Sequence, residues 1–419
     1  MSGRAGERSA APDPFGFRIN AARLTFPFRN GPCLASEASD RDAPSGPAGT
    51  SRAATADRHR GKGNSVRHIN SRSCDGTSDR NAHAPLPSAV RAAQEALGWA
   101  DPSLGPLCVE LVAEVAQRIG VAEESVVLGT GGPSLAFALL RSVACGAPGT
   151  ALELIVPHGG YDLYADLARR LPAAVCTRVP ATADGRQDLP ALAARATGRN
   201  SVILLGNPQD PTGTVIRGAE LCRFLDAVPP EAMVVLDETH WEFVRDPGFT
   251  PAAGLINRYP RLVVVRNLSV VHGLGGLRLA YAAGAPDLIE VMQRQILPHD
   301  VSMLAQLVAL ASLRTPAEVR SRTDAIVRER ERLREELRLL GFQVPPSETN
   351  QLWLPLGRES MRFALAGRAQ GADIALRPGE GVRITAGPPE HGDRVLRAAA
   401  AFACASATPR CDSEVIDRL

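Results

Sequence analysis

From residue 87 onward, short apolar runs alternate with stretches long enough for a helix. Three of these runs, 202–205, 233–236 and 262–265, are apolar on both faces and rich in β-branched residues, as strands buried inside a parallel sheet are. Before them the pattern predicts a helix at 88–96 with Ser88 at its N-cap, and another at 109–119. A strand at 126–128, a glycine-rich turn, a helix at 135–143, a strand at 152–156 and a helix at 161–171 follow. Repeated βα units of this kind imply an α/β fold with a large, doubly wound, mostly parallel sheet and a site at the strands' C-terminal ends. The stretch 317–340 reads as one long helix whose Arg and Glu residues, spaced three and four apart, make a solvated face. Beyond Gly341 the pattern shortens to strands at 351–356 and 382–385 and helices at 360–366 and 390–404, a small α+β domain. The expected organisation is an arm over 1–80, a large domain over 81–300, a linking helix over 301–340, a small domain over 341–405 and a tail over 406–419.

Composition narrows the function classes. At 419 residues and 44% hydrophobic content the chain can bury a sizeable core, whereas residues 1–80 are too polar to offset their ordering entropy and are expected to be disordered. Basic and acidic residues nearly balance, 47 against 45, so no global field favours nucleic acid. The basic residues are almost all arginine, and the single lysine is Lys62. The eight cysteines are scattered without a C-x-x-C pair, which argues against zinc and disulfides and predicts a cytoplasmic protein. No uninterrupted apolar run approaches the roughly eighteen residues of a membrane span, and no signal peptide is expected.

Several polar residues stand where burial would be costly. Asp237 closes the apolar run 233–236, so its carboxylate needs a cation, a capping role or an ion pair. Arg383 sits inside the apolar strand 382–385, where a guanidinium calls for an anion. Three longer runs surround these positions: Asn207 to Gly213 (N-P-Q-D-P-T-G), Val234 to His240 (V-V-L-D-E-T-H) and Asn267 to Arg278 (N-L-S-V-V-H-G-L-G-G-L-R).

In order and spacing the three runs resemble those of the class I/II aminotransferases, which depend on pyridoxal 5'-phosphate (PLP), and especially the histidinol-phosphate aminotransferase branch. That branch has N-P-N-N-P-T-G, V-V-D-E-A-Y and L-S-K-x-x-G-L-A-G-L-R. The resemblance covers roughly residues 81–405. It implies a PLP-dependent transferase-like fold, a homodimer with sites built across the interface, and an amino or keto acid substrate. Residue by residue, it implies Asp237 on the pyridine nitrogen and Arg278 with Ser269 on the cofactor phosphate, cradled by Gly131 and Gly132. It further implies Tyr161 stacked on the ring, Arg383 on the substrate α-carboxylate and Asn350 beside it. For Asp237 a cap or structural ion pair, for Arg278 a loop anchor and for Tyr161 a plain core position are the competing readings.

The departures from the family pattern gather in the same pocket. Val270 stands at the Schiff-base lysine, and residues 63–419 contain no other side-chain amine to replace it. Asp210 replaces the asparagine that donates to the cofactor's phenolic oxygen, where a carboxylate would face a like charge. His240 replaces the tyrosine on the same oxygen. Gly132 lacks a hydroxyl, Pro133 has no N–H to offer the phosphate, and Trp99 stands for a tyrosine that reaches across the dimer. His272, two residues past Val270, is either a base or a packed loop histidine. The expected function is transaminase-like chemistry on an amino or keto acid, with PLP or pyridoxamine phosphate held non-covalently. The alternative is a lysine-less pseudoenzyme, a PLP-independent catalyst or a binding partner on the same scaffold.

Overall fold

The computed structural model describes residues 83–98, 109–146, 149–160 and 162–407, all within one compact unit, Ser71–Leu419. Tyr161 and Trp99 lie outside the described residues. Helices α1 (Pro87–Leu97) and α2 (Val109–Ile119) lead to strand β1 (Val126–Gly129), helix α3 (Gly132–Gly146), β2 (Leu152–Pro157), α4 (Asp162–Ala168) and β3 (Ala174–Val179). Then come α5 (Leu189–Arg195), β4 (Ser201–Gly206), α6 (Gly218–Ala227), β5 (Met233–Asp237), β6 (Leu262–Asn267) and β7 (Ala280–Ala283). Helices α7 (Pro286–Gln293), α8 (Met303–Leu313) and α9 (Pro316–Leu339) precede β8 (Gln351–Leu354), α10 (Ser360–Ala369), β9 (Ile374–Arg377), β10 (Gly381–Thr385) and α11 (Pro389–Ala407).

The large sheet has seven strands in the order β1-β7-β6-β5-β4-β2-β3, and β7 alone runs antiparallel to its neighbours. Its core follows from the two-residue period of a strand. On β4, Val202 and Leu204 face one cluster with Leu135, Leu139 and Tyr164, while Ile203 and Leu205 face the other with Leu221 and Phe224. β5 and β6 repeat the division, Val235 and Val265 to one side, Leu236 and Val264 to the other. Helices thus cover both faces, and the fold is α/β with a large, mostly parallel mixed sheet. A three-stranded antiparallel sheet, β8-β10-β9, packs its own core of Leu352, Leu354, Val382 and Ile384 against Leu333, Phe363 and Phe402.

Two local expectations are corrected. Ser88 is not the cap of α1; Leu86 holds that place without a side-chain bond, and the Ser88 hydroxyl bonds Glu318 (2.9 Å) and Thr315 (2.8 Å). The charges of α9 are not all solvated. Arg330 is buried with Nη1 donating to the Thr349 carbonyl at 2.8 Å, and Glu329 is buried against Arg332 at 2.7 Å. No described helix is long and apolar enough to cross a membrane.

Candidate active site at the carboxyl edge of the large sheet

Strands β1, β4, β5 and β6 all end on one edge, and β7 begins there. A cavity of about 320 Å³ opens over it, lined by residues that follow those ends. Among them are Gly131 and Gly132 after β1, Asp210 after β4, Asp237 ending β5 with Thr239 and His240 beyond it, and Asn267 ending β6 with Ser269 and Arg278 beyond it. The parallel sheet brings these distant segments together, as open α/β sheets do at their carboxyl edge.

A hydrogen-bonded chain runs along the edge. Oδ1 of Asp237 accepts from the Thr239 amide (2.8 Å) and hydroxyl (2.5 Å), and Asn267 Nδ2 donates to that hydroxyl oxygen at 2.9 Å. Asn267 Oδ1 in turn accepts from the Ser269 amide (3.0 Å) and hydroxyl (2.6 Å). The Tyr164 hydroxyl, carried by α4, donates to Asp237 Oδ2 at 2.6 Å. Both oxygens of the carboxylate are therefore engaged by the protein itself. Tyr164 also approaches Gly132 closely: a Cβ there would stand 2.9 Å from its hydroxyl oxygen.

At the β1 end, Gly131 adopts φ +105°, and a Cβ on it would lie 2.5 Å from Nη2 of Arg278. Only glycine allows both that backbone and that approach. The exposed Arg278 makes no ion pair among the described residues; its one bond, at 3.5 Å, goes to the Gly275 carbonyl. A guanidinium so placed, beside the amino-terminal turn of α3, has the charge and donors to meet an anion.

At the β4 end the arrangement differs from what the resemblance implies. Arg383, 4% exposed on β10, directs Nη1 at both carboxylate oxygens of Asp210, at 2.7 and 3.1 Å. Asp210, 10% exposed, lines the cavity in front of it. Burial pushes the Asp210 carboxyl up, but Arg383, with smaller help from His240 and Arg377, outweighs this and holds it below the usual carboxylate range. The like-charge conflict expected at Asp210 is thus answered inside the protein.

The remaining sequence-derived positions divide. His240 is 4% exposed and lines the cavity, and its Nδ1 has no hydrogen-bond partner. Val270, 6% exposed, packs with Phe243, Val271, Ile326 and Ala386 and does not line the cavity. His272 is buried away from it, with Nδ1 2.7 Å from Ser312 Oγ and Nε2 3.3 Å from Glu242. Asn350 is buried and Oδ1 lacks a partner, but it too is not in the cavity wall. Sequence reasoning missed Tyr164, Thr239, Asn267 and Arg178, all in the wall. Asn267 and Thr239 carried a signal, standing at or two residues past the end of a buried strand; Tyr164 and Arg178 carried none.

The chain belongs to the class I and II aminotransferases, whose family model matches residues 75–402. It is 39% identical over 318 residues to an aromatic amino acid aminotransferase of Nocardia farcinica, covering 75% of this chain and 88% of that one. A protein of the same name from Thermobifida fusca is 37% identical over 333 residues, with 79% and 90% covered. A histidinol-phosphate aminotransferase from Sinorhizobium meliloti, solved in complex with pyridoxal-5'-phosphate, shares the fold with a TM-score of 0.70 at 22% identity, over 78% of this chain and 89% of that one. Aspartate aminotransferase from Thermus thermophilus with maleate shares it with a TM-score of 0.66 at 20% identity, over 77% and 90%.

The family's cofactor can be set against these side chains. The cavity volume, the Arg278–Gly131 cradle and the partnerless Nδ1 of buried His240 suit a phosphorylated aromatic ligand. No described residue carries a side-chain amine.

Proposed function

We propose that this protein binds a pyridoxal-type phosphate, PLP or pyridoxamine phosphate, without covalent attachment and acts on an amino or keto acid as an aminotransferase-family enzyme. The observation that carries the reading is Arg278: a guanidinium without an ion pair among the described residues, laid against a positive-φ glycine over the same cavity as Asp237. In this reading Arg278 and Ser269 hold the phosphate, Asp237 faces the ring nitrogen and His240 reaches a ring substituent. When bound, the cofactor supplies an electron sink for charge at the substrate α-carbon. Arg383 anchors the substrate carboxylate once Asp210 yields it, and the aromatic preference of the named relatives is the first to test. The protein is proposed to be a cytoplasmic homodimer.

Two contacts favour a second reading, a scaffold that has left PLP chemistry. Tyr164 and Thr239 already engage both oxygens of Asp237, and Asp210 already pairs with Nη1 of Arg383. An absorbance spectrum of purified protein mixed with PLP and then desalted separates the two. The first reading expects a cofactor band that co-elutes with the protein, with no adduct on residues 81–405 after borohydride. Complete loss of the band on desalting favours the scaffold.

A further inference from the structure

The guanidinium of Arg383, 4% exposed on β10, is not part of the cavity wall; Asp210 stands in the wall in front of it. Nη1 donates to both oxygens of the Asp210 carboxylate, at 2.7 and 3.1 Å. The turn that carries Asp210 is fixed from within and from outside. Gln209 N donates to the Thr214 carbonyl at 2.9 Å and Gly213 N to the Gln209 carbonyl at 2.7 Å. Glu348 N, from the segment before β8, donates to the Gly213 carbonyl at 2.9 Å, and a Cβ on Gly213 would run into Ser347 of the same segment. A ligand that reaches Arg383 therefore meets a carboxylate whose backbone cannot withdraw.

We propose that a ligand carboxylate enters this wall together with a proton, which settles on Asp210. This rests on the reading of Arg383 as the anchor of the substrate carboxylate, and it adds what accompanies that group. In the chain by itself one positive and one negative charge cancel behind the wall. A second carboxylate on the same guanidinium leaves a buried negative charge in excess, and two carboxylates that share a site do not both stay ionised. Uptake of a proton from solvent restores the balance. The O–H bond forms on an Asp210 oxygen, and the neutral acid becomes a donor towards the ligand's carboxylate. Before the ligand arrives the carboxyl is ionised, because Arg383 holds it below the usual carboxylate range.

Other charged or titratable groups face the same space. His240, from the loop after β5, and Arg377, on β9, favour the ionised form of Asp210, and Arg377 Nη2 also donates to the Gly160 carbonyl at 2.9 Å. Both offset part of the excess charge, and the imidazole is the rival seat for the proton. Asp237, at the end of β5, lines the same cavity with its oxygens engaged by Tyr164 and Thr239.

Isothermal titration of the full chain with 3-phenylpropionate tests the proposal by binding alone. The probe has a carboxylate, no amine, and a ring that suits Val156, Leu204 and Leu279 in the wall. Titrations at pH 6 in buffers of different ionisation enthalpy count the protons. The natural chain should take up about one proton per probe bound, and its affinity should fall about tenfold from pH 6 to pH 7. The uncharged 3-phenylpropanamide should bind it without uptake, a control that needs no variant. Asp210→Asn should bind the acid at least about tenfold tighter at pH 7, without uptake and without pH dependence over that range. Asp210→Asn, Arg383→Gln should lose the acid, and His240→Gln should keep the uptake. Binding by the natural chain without uptake, uptake that survives Asp210→Asn, uptake abolished by His240→Gln, or binding by Asp210→Asn alone overturns Asp210 as the proton's seat while leaving Arg383 as the anchor. Failure of both the natural chain and Asp210→Asn to bind the acid overturns the anchor reading and this inference with it.

Discussion

A single atom's difference between an amide and a carboxylate sets what Arg383 does in this protein. An asparagine at position 210 would leave the guanidinium facing the cavity; Asp210 instead neutralises it across a distance of 2.7 Å, with both side chains nearly out of water. A guanidinium inside the apolar strand 382–385 calls for an anion, and if only a ligand supplied it, Arg383→Ala would harm ligand binding more than folding. Its partner reverses that expectation. Removing one member of a buried ion pair typically costs roughly 3–5 kcal/mol, because the other charge is stranded. Arg383→Ala should therefore unfold at markedly lower urea concentration than the natural chain at pH 7. The pH dependence follows from the direction of the shift. The folded-state Asp210 carboxyl lies below its ordinary 3.8, so the pair's contribution is full above that value and is lost as pH falls through the lowered one. In Arg383→Ala burial is no longer outweighed and pushes the carboxyl up, so the deficit against the natural chain should be largest near neutrality and shrink towards pH 4. A urea midpoint at pH 7 matching the natural chain would show that the pair carries no structural weight.

Strand β5 and helix α4 meet at the second closed contact, where Tyr164 donates to Asp237. A hydrogen bond to a charged group contributes roughly 1.5–3 kcal/mol, so Tyr164→Phe should lower the melting temperature modestly. If Asp237 faces a ring nitrogen, releasing Oδ2 should also tighten binding of pyridoxal-type phosphates several-fold in equilibrium dialysis. Lower stability with unchanged affinity would make the Tyr164–Asp237 bond structural only. The same two elements illustrate what the chain discloses by itself. β4, β5 and β6 were legible because burial on both faces forces unbroken apolar runs, and their ends located Asp237. β3 was not, since an edge strand with half-exposed Cys176 and Thr177 and exposed Val175 and Arg178 loses that signature. β7, the Ala-Tyr-Ala-Ala run 280–283, lacks β-branched residues and is defined by its neighbours β1 and β6. Tyr164 was missed for a related reason: a helix residue 73 positions from its partner is placed by packing, which no local pattern records. The pairing of Asp210, in the loop after β4, with Arg383 on β10, 173 residues away, is of the same kind.

At the scale of the whole molecule, stability and ligand binding are linked, and Val270→Lys puts that linkage to use. The natural valine is 6% exposed in an apolar cluster with Phe243, Val271, Ile326 and Ala386. An ammonium introduced there is costly to bury, so without cofactor the variant should melt well below the natural chain and its amine should have a lowered pKa. The neighbouring Ser269 lines the cavity, which leaves a four-carbon side chain from position 270 a short path to it. Added PLP should then react with the amine, and a ligand bound only by the folded state raises apparent stability in proportion to its occupancy. The expected outcome is a melting temperature that recovers as PLP is added, and a borohydride-stable mass increase on the peptide spanning position 270. By the family resemblance Asp210 opposes this step, since it sets a carboxylate against the cofactor's phenolic oxygen where an asparagine would donate. The double variant Val270→Lys, Asp210→Asn should accordingly reach the same recovery at lower PLP. If neither variant gains the adduct or the recovery at millimolar PLP, the fold has kept the family's frame while its cavity no longer admits the family's cofactor.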